Sequence, residues 1–378
     1  MNSIYLDNNA TTPLLAEVLE VVCTALARDF GNPSSIHAPG QAARAVVDLA
    51  RQQVAGLLQA RPTEVVFTSG GTEAINTAIH ACAVAVPAAQ RRMIRSAVEH
   101  EAVIEAVRHF GSSVSVIAVD SEGRLDLEQL ERELRQPACC LSLMLSNNET
   151  GVLLPVAEAA QLAQARGVPV HIDAVQAVGK AELNVEALGC DFLSVAGHKF
   201  HAPKGTGALY VRRTAKFQPL MVGASQEHSR RPGTENVAGI AALGAAANIM
   251  GRGIEARRAQ LLGLSNEVER RLLALPGARL QGAAAARMPG TSNVAFEGLE
   301  GAGIVLRVAR EGVAISSGSA CSASAGGGSH VLEAMKVPYG HLFGAIRVSC
   351  AERNTLDEIA VACSAIERAV LHLRCLLP

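Results

Sequence analysis

The sequence predicts an α/β fold, with a larger domain built on a mainly parallel, seven-stranded sheet and a smaller α+β domain beside it. Seven short runs rich in β-branched residues alternate with segments of helix length over the first two thirds of the chain. A long polar helical pattern then leads into a different alternation of strands and helices, as expected for a second domain. At 378 residues the chain is long enough for both.

The predicted elements follow this division. The strands of the large sheet are expected at 65–68, 93–96, 114–119, 140–145, 168–173, 192–195 and 207–211. One intervening helix is expected over 152–166, with Pro155 in its first turn. The second domain is predicted to contain a helix over 253–275, strands at 292–296, 313–316 and 345–349, and helices near 302–310 and 356–373.

The domain boundaries are predicted from the same patterns. The large domain is expected to span residues 13–255, and the small domain residues 1–12 together with 256–378. The first dozen residues are therefore expected to pack against the C-terminal part of the chain.

Composition excludes several functional classes. Apolar residues make up 49% of the chain and charged residues 18%, which is typical of a compact enzyme. The net charge of −1 gives no basic surface for nucleic acid. No apolar run reaches the roughly 18–20 residues that a membrane span needs. The N-terminus lacks the features of a signal peptide, so we expect a cytoplasmic protein with neither a nucleic-acid nor a membrane partner.

The most informative polar residues follow the predicted strands at 168–173 and 192–195. Asp173 ends the first strand, and Lys199 lies 26 positions later, beside His198. A pyridoxal phosphate enzyme needs a lysine that holds the cofactor as a Schiff base and a carboxylate against the pyridine nitrogen. Asp173 and Lys199 are candidates for these two groups. Alternatively, Asp173 caps the next helix, and His198 and Lys199 form a solvated loop pair.

Two further strand ends carry candidate residues. The segment 69–74 has two glycines and Thr72 at the start of a helix, a pattern that suits an anion. An ordinary turn with Thr72 as the helix cap is equally consistent with it. His100 follows the strand at 93–96 and can stack on a planar cofactor and transfer protons, although a lone histidine is more often structural.

The chain contains nine cysteines, at positions 23, 82, 139, 140, 190, 321, 350, 363 and 375. None forms a Cys-x-x-Cys pair, so zinc and thioredoxin-type motifs are not expected. Cys23, Cys82, Cys190 and Cys363 lie among apolar residues and are expected in the core. Cys321 lies in the Gly/Ser/Ala-rich segment 316–329, which is expected to be a mobile loop carrying a nucleophilic thiol. The alternative is a tight loop with an incidental cysteine.

Taken in order along the chain, these motifs resemble the cysteine desulfurases of the class V aminotransferase family, and most closely their nitrogen-fixation-type branch. The matching segments are 5–12, 31–35 with His37, 67–73, 147–151, 171–176, 197–199, 226–227, Arg231 with 233–236, 316–321 and 347–349, and the segment 199–201 is closest to the nitrogen-fixation-type branch. The resemblance implies a fold-type I transferase that depends on pyridoxal 5'-phosphate. It also implies conversion of L-cysteine to L-alanine, with sulfur held as a persulfide and delivered for iron–sulfur cluster assembly.

The resemblance implies a role for each matching residue. Lys199 is the Schiff-base lysine and the proton-transfer base, while Asp173 and Gln176 contact the ring nitrogen and the ring hydroxyl oxygen. Arg347 and Asn148 hold the substrate carboxylate, and Cys321 is the sulfur acceptor. The remaining implied cofactor contacts are Gly71, Thr72, His100, Asn148, His198 and, from the second subunit of a homodimer, Thr234. His100 is also implied as a catalytic proton carrier.

The implied partners are L-cysteine and an iron–sulfur scaffold or another sulfur-acceptor protein, in nitrogen fixation or in general cluster maturation. No intrinsic metal site is implied, although Cys321 would meet the metal of a cluster during transfer. A selenocysteine lyase or another β-lyase on the same fold is the alternative enzyme, and a weakly active sulfur carrier or scaffold partner is the non-enzymatic alternative.

The chain departs from the family pattern near the phosphate. Ala196 stands where a serine is usual, so we expect one hydroxyl fewer for the phosphate and weaker cofactor retention. Ser194 is the nearest substitute, but strand alternation points it to the same side as Ala196. Further departures lie at 202 and 224–225, where glycine is usual, and at 350–353, next to the carboxylate clamp, where a change would act on substrate preference.

Overall fold

A computed structural model describes residues 3–317 and 328–376 of the chain. Its strands are β1 (Ile4–Tyr5), β2 (Val65–Thr68), β3 (Arg92–Ser96), β4 (Ser113–Ile117), β5 (Cys140–Met144), β6 (Val170–Asp173), β7 (Phe192–Ala196), β8 (Gly207–Val211), β9 (Ala278–Leu280), β10 (Thr291–Phe296), β11 (Val313–Ala314), β12 (Ser316–Ser317) and β13 (Ala345–Ser349).

The helices occupy the intervening segments. They are α1 (Ala16–Arg28), α2 (Ala38–Leu58), α3 (Gly71–Val84), α4 (Glu101–Phe110), α5 (Leu127–Glu133), α6 (Val156–Gln164), α7 (Val185–Leu188), α8 (Gln226–Ser229), α9 (Val237–Met250), α10 (Ile254–Leu272), α11 (Gly301–Arg310), α12 (His330–Ala334), α13 (Tyr339–Leu342) and α14 (Leu356–Cys375). Short 3-10 turns add Pro62–Glu64, Ala88–Gln90 and Gly197–Lys199.

The large sheet has seven strands in the order β2-β8-β7-β6-β5-β3-β4. Only β8 runs antiparallel to its neighbours β2 and β7 within this sheet. The pairs β3–β4, β3–β5, β5–β6 and β6–β7 are all parallel. The predicted α/β fold with a mainly parallel seven-stranded sheet is confirmed.

Helices cover both faces of this sheet, which explains why its central strands are continuous apolar runs. On one face α3 packs through Ala74, Ile75 and Ala78 against Val66 and Leu209. On the other face, α2, α6 and α9 contribute to the largest apolar cluster, which contains the buried side chains of β5 and β6. Because β3, β4, β5, β6 and β7 run parallel, residues at their carboxyl ends meet at one edge of the sheet.

A second apolar cluster lies outside the large sheet. It combines Leu6 with side chains between Leu261 and Val370, from α10, α11, α14 and strands β10 and β13. The strand order β12-β13-β10-β9 forms a four-stranded sheet here, and β1 pairs in parallel with β11. The backbone of Leu6 thereby reaches Ala314 at 2.8 Å. The domain boundaries near residues 12 and 255 remain a prediction.

Three local expectations were wrong. The predicted strand at 313–316 is two strands, because β11 pairs with β1 whereas β12 pairs with β13 in another sheet. The helix within 152–166 begins only at Val156, with Pro155 at its cap, because Val152 bridges to Arg287 instead. Cys23 is exposed on α1 and not in the core, whereas Cys82, Cys190 and Cys363 are buried.

Among the described residues, no single helix is long and apolar enough to cross a membrane. The helices Val237–Met250 and Ile254–Leu272 reach the length and apolar composition of a membrane span only when they are taken together, and they are bent by 80° where they meet.

A buried ion pair anchors the segment that follows β8. Arg51 on α2 donates to both carboxylate oxygens of Glu227, at 2.6 and 2.7 Å, and to the carbonyl of Val65 at 2.8 Å. The N–H of Phe67 donates to the same carboxylate at 2.9 Å. Glu227 begins a run of three residues with φ of 49°, 57° and 62°, a left-handed turn that costs energy without glycine. The ion pair holds this turn against β2.

We predict that Arg51→Met destabilises the protein by about 3–5 kcal/mol, because it leaves the Glu227 carboxylate buried without its cation. Urea unfolding measures this change. Arg44→Met is the matched control, since Arg44 pairs with Asp48 across an exposed turn of α2, and we expect a loss below about 1 kcal/mol. Equal losses in the two variants would contradict the assigned importance of the buried pair.

Candidate active site

A cavity of about 280 Å³ lies at the carboxyl edge of the large sheet, where α/β folds usually bind ligands. Nine of the eleven residues singled out from the sequence line it. They are Gly71, Thr72, His100, Asn148, Asp173, Gln176, His198, Lys199 and Arg347. Residues at or just after the ends of five strands, β2, β3, β5, β6 and β7, thus converge with Arg347 of β13 and with the N-terminal segment, through Asn9 and Ala10, on one space.

Asp173 is the last residue of β6 and is buried at the floor of the cavity. One carboxylate oxygen accepts a hydrogen bond from the N–H of Val175 at 2.9 Å. The residues that follow form turns, and the next helix, α7, begins at Val185, so the alternative of Asp173 as a helix cap was wrong. Burial raises the pKa of Asp173, and the neighbouring His100 and Lys199 act in the opposite direction. A buried carboxylate of this kind favours a cationic partner within the cavity.

Lys199 ends the 3-10 turn that follows β7 and reaches back over the cavity. Its Nζ donates to the carbonyl oxygens of Asn9 at 2.6 Å and of Ala10 at 2.9 Å. Gln176 Nε2 donates to the same Asn9 carbonyl at 2.9 Å, while its Oε1 is buried without a partner among the described residues. Both side chains are thus fixed by one backbone carbonyl, and Gln176 retains hydrogen-bonding capacity toward the cavity.

The start of α3 forms an anion-binding end of the cavity. Gly71 and Thr72 provide the first turn of this helix, whose cap is Gly70, so the alternative of Thr72 as the cap was wrong. The free N–H groups and the dipole of a helix start favour an anion. His198 faces the same space, and burial together with Lys199 and Lys204 lowers its pKa to about 4. His198 is therefore a neutral hydrogen-bonding group near pH 7.

Ala196 lines the cavity beside Gly71. A Cβ atom built on Gly71 would lie 3.3 Å from the Ala196 Cβ, so the two positions are in direct contact. Ser194 does not replace the missing hydroxyl, because its Oγ lies 2.8 Å from His171 Nε2. The other ring nitrogen of His171 is 2.8 Å from Ser142 Oγ, and burial lowers the pKa of this histidine to about 3. A neutral Ser–His–Ser chain thus lies beneath the cavity.

His100 is the cap of α4 as well as a wall of the cavity. Its Nδ1 accepts a hydrogen bond from the N–H of Ala102 at 3.0 Å, so the neutral ring carries its proton on Nε2. The preceding residue, Glu99, is fully buried, and burial raises its pKa to about 8. Ser96 Oγ and the Met144 N–H donate to Glu99 Oε1 at 2.5 and 3.0 Å.

Arg347 on β13 closes the cavity from the side of the four-stranded sheet. It donates to the Asn148 carbonyl at 3.0 Å and to the Asp7 carboxylate at 2.8 Å. Its Nε is buried and has no partner among the described residues. The Arg347 guanidinium therefore has a donor left for a carboxylate.

These residues fit pyridoxal phosphate. A buried carboxylate, a lysine amine and a helix start with a neutral histidine match its ring nitrogen, its aldehyde and its phosphate. The unpartnered Oε1 of Gln176 matches its ring hydroxyl. Among residues 3–317 and 328–376, no cluster of three or more His, Cys, Asp or Glu side chains could hold a metal ion.

Of the two remaining predicted site residues, one does not line the cavity and the other lies outside the described residues. Thr234 is exposed on the segment between α8 and α9 and does not line the cavity of its own chain. Cys321 lies outside the described residues, as does most of the segment expected to be a mobile loop.

Several polar residues next to the cavity have no role assigned from the sequence. They are Asp7, Asn9, Glu99, Glu149 and Lys180. Glu149 accepts from Ser329 Oγ at 2.5 Å, and burial raises its pKa to about 7. The run of polar residues after the apolar start of the chain was a signal for Asp7 and Asn9. For Lys180 the signal was a single charge within the apolar segment 177–181.

Comparisons with known proteins identify the family of this chain. The aminotransferase class-V family matches residues 4–361. A protein of Nostoc sp. named cysteine desulfurase is 43% identical, covering 100% of this chain and 95% of the relative. A Klebsiella pneumoniae protein of the same name is 44% identical, covering 100% and 95%.

The architecture is also shared with solved structures. A NifS-like protein superposes with a TM-score of 0.92 at 32% identity, covering 98% of this chain and all of that one. The family match spans all the described residues that line the cavity, from Asn9 to Arg347. This chain therefore belongs to the class V aminotransferase family, among the cysteine desulfurases.

Proposed function

We propose that this enzyme binds pyridoxal 5'-phosphate and converts L-cysteine to L-alanine, transferring the sulfur to Cys321. The observation that carries the proposal is the convergence of Lys199, Asp173 and Arg347 on one cavity. Together they provide an amine, a ring-nitrogen partner and a carboxylate clamp. The names of the full-length relatives support the same activity.

The proposed cofactor contacts follow from the cavity. When bound, pyridoxal phosphate supplies an electron sink for negative charge at the substrate Cα. Asp173 holds the ring nitrogen, Gln176 faces the ring hydroxyl, and Gly71, Thr72 and His198 hold the phosphate at the start of α3. His100 covers the ring and carries a proton on Nε2. Lys199 is released from the Asn9 carbonyl to move a proton at the substrate Cα.

Arg347 and Asn148 orient the substrate through its carboxylate. Arg347 is paired with Asp7 and has an unpartnered Nε, so an incoming carboxylate adds to or replaces the Asp7 contact. Because Arg347 also donates to the Asn148 carbonyl, the substrate carboxylate and the Asn148 side chain are held in a fixed position relative to each other. This clamp favours an α-amino acid over a simple thiol.

Sulfur transfer requires a second thiol. The Cys321 thiolate forms a bond with the substrate sulfur as the substrate Cβ–S bond breaks. The electron pair of the broken Cβ–S bond stays on Cβ, which then takes up a proton. The net change converts L-cysteine and a Cys321 thiol into L-alanine and a Cys321 persulfide, so no outside oxidant is needed. An acceptor thiol then removes the outer sulfur.

We also propose a cytoplasmic homodimer with shared active sites, which delivers sulfur to an iron–sulfur scaffold or another acceptor protein. The exposure of Thr234, Phe30 (77%) and Val222 (100%) in the single chain supports a second subunit. Thr234 would then reach the phosphate of the partner's cavity. Transfer in nitrogen fixation or in general cluster maturation would bring Cys321 to a metal-bearing cluster.

We predict that Cys321→Ala abolishes the release of sulfide and alanine from L-cysteine, while the protein still binds pyridoxal phosphate with its visible absorption band. Cys375→Ala is the matched control, because Cys375 is an exposed thiol that does not line the cavity. Sulfide and alanine assays measure both products. Sulfide release at the wild-type rate by Cys321→Ala would show a β-lyase instead, and a wild-type protein without the band would contradict the cofactor assignment.

We predict that Ala196→Ser binds pyridoxal phosphate about tenfold more tightly, because a new hydroxyl beside Gly71 adds a charge-assisted hydrogen bond of about 1.4 kcal/mol. Cofactor titration into apo-protein measures the Kd. Thr72→Ala is the opposite control and is expected to weaken binding. An unchanged Kd in Ala196→Ser would mean that position 196 does not limit cofactor retention.

A further inference from the structure

A second lysine is buried beside the cavity, and the proposed mechanism gives it no role. Lys180 follows Gln176 by four positions, and only 8% of its surface is exposed. Burying an ammonium is costly unless it has a hydrogen-bonding or charged partner. Its position therefore calls for a specific use within the site.

The backbone around Lys180 is fixed from three sides. Gly179 has a φ of 74°, which favours glycine, and a Cβ there would lie 2.8 Å from the Met250 side chain. Arg257 Nη1 donates to the Gly179 carbonyl at 2.9 Å. The Lys180 N–H donates to the Ala177 carbonyl at 3.0 Å. Lys180 thus projects from a rigid turn.

The Lys180 ammonium contacts the side chain of Asn9. Nζ donates to Asn9 Oδ1 at 2.8 Å. Because an ammonium can only donate, the Asn9 NH₂ group must point the other way, where it donates to the Asn148 carbonyl at 3.2 Å and to Thr291 Oγ1 at 3.0 Å. Lys180 and the Asn148 carbonyl therefore require the same orientation of this amide.

The backbone of Asn9 carries the functional consequence. Its carbonyl accepts hydrogen bonds from both Lys199 and Gln176, at 2.6 and 2.9 Å. Its N–H donates to Ser349 Oγ at 3.0 Å. A change in the Asn9 side chain is thus transmitted to the lysine and the glutamine that face the cofactor.

Lys180 also contributes charge. Burial lowers its pKa to about 8, and the cations Lys199 and Arg347 act in the same direction. Glu352 and Cys350, which follow β13, act in the opposite direction, and Arg257 lies on the far side of Gly179. Since this pKa remains above neutrality, Lys180 is mostly protonated at pH 7. A positive charge is thereby maintained behind Lys199.

We propose that Lys180 is a positioning residue of the active site, which fixes Asn9, and through it Lys199 and Gln176, while placing a buried positive charge behind the cofactor. This inference rests on the proposed cofactor-dependent function. It assigns Lys180 no contact with the substrate.

The test compares Lys180→Met and Lys180→Gln as cofactor-loaded enzymes. Removal of the charge in either variant should raise the pH midpoint of the cofactor's visible band by about 1 unit, because a neighbouring cation disfavours protonation of the lysine-linked cofactor. Lys180→Met should also lower kcat by at least about tenfold with a smaller change in KM, because Lys199 loses its alignment. Lys180→Gln retains a donor for Asn9 and should keep more of the wild-type kcat.

Lys216→Met is the matched control, since Lys216 is exposed and lies away from the cavity, and its band and kinetics should equal the wild type. Wild-type midpoints in both Lys180 variants, with the band present, would overturn the inference and leave the proposed function intact. Absence of the band from the wild-type protein would instead contradict the proposed function and this inference with it.

Discussion

The hydrogen bonds of Asn9 join the parts of the active site. Its side chain and backbone receive bonds from Lys180, Lys199 and Gln176, and donate to Asn148 and to residues of the four-stranded sheet. Through its side chain and its backbone together, Asn9 connects Lys199, the loop after β5 and strand β13, which carries Arg347. The cavity keeps its shape because this residue leaves no polar atom unsatisfied.

The second constraint is electrostatic. The carboxylates of Asp173, Glu99 and Glu149 are all buried, and burial raises the pKa of each. Nearby cations act in the opposite direction: Lys199 lowers the pKa of Asp173, Arg347 lowers that of Glu149, and Arg95 lowers that of Glu99. A site with this balance favours a ligand that brings a protonated ring nitrogen toward Asp173 and anionic groups toward the cations and the start of α3.

The sequence predicted the large sheet and most of the cavity because each depends on local pattern. Asp173 and Lys199 could be found since each follows an apolar strand, and parallel strands end at one edge. Asn9 and Lys180 could not be found in this way, because their roles depend on where the N-terminal strand pairs, with β11 more than three hundred residues away. The prediction of a single strand at 313–316 was wrong for the same reason, because the division of this segment between two sheets also depends on pairing with the distant strand β1.

The central claim is that Lys199, and not its buried neighbour Lys180, is the lysine that binds the cofactor covalently. Borohydride reduction of the cofactor-loaded enzyme fixes that link, and peptide mass mapping then locates it. The account predicts the pyridoxyl group on the peptide that contains Lys199, with the Lys180 peptide unmodified. A label on Lys180, or on neither lysine, would contradict it.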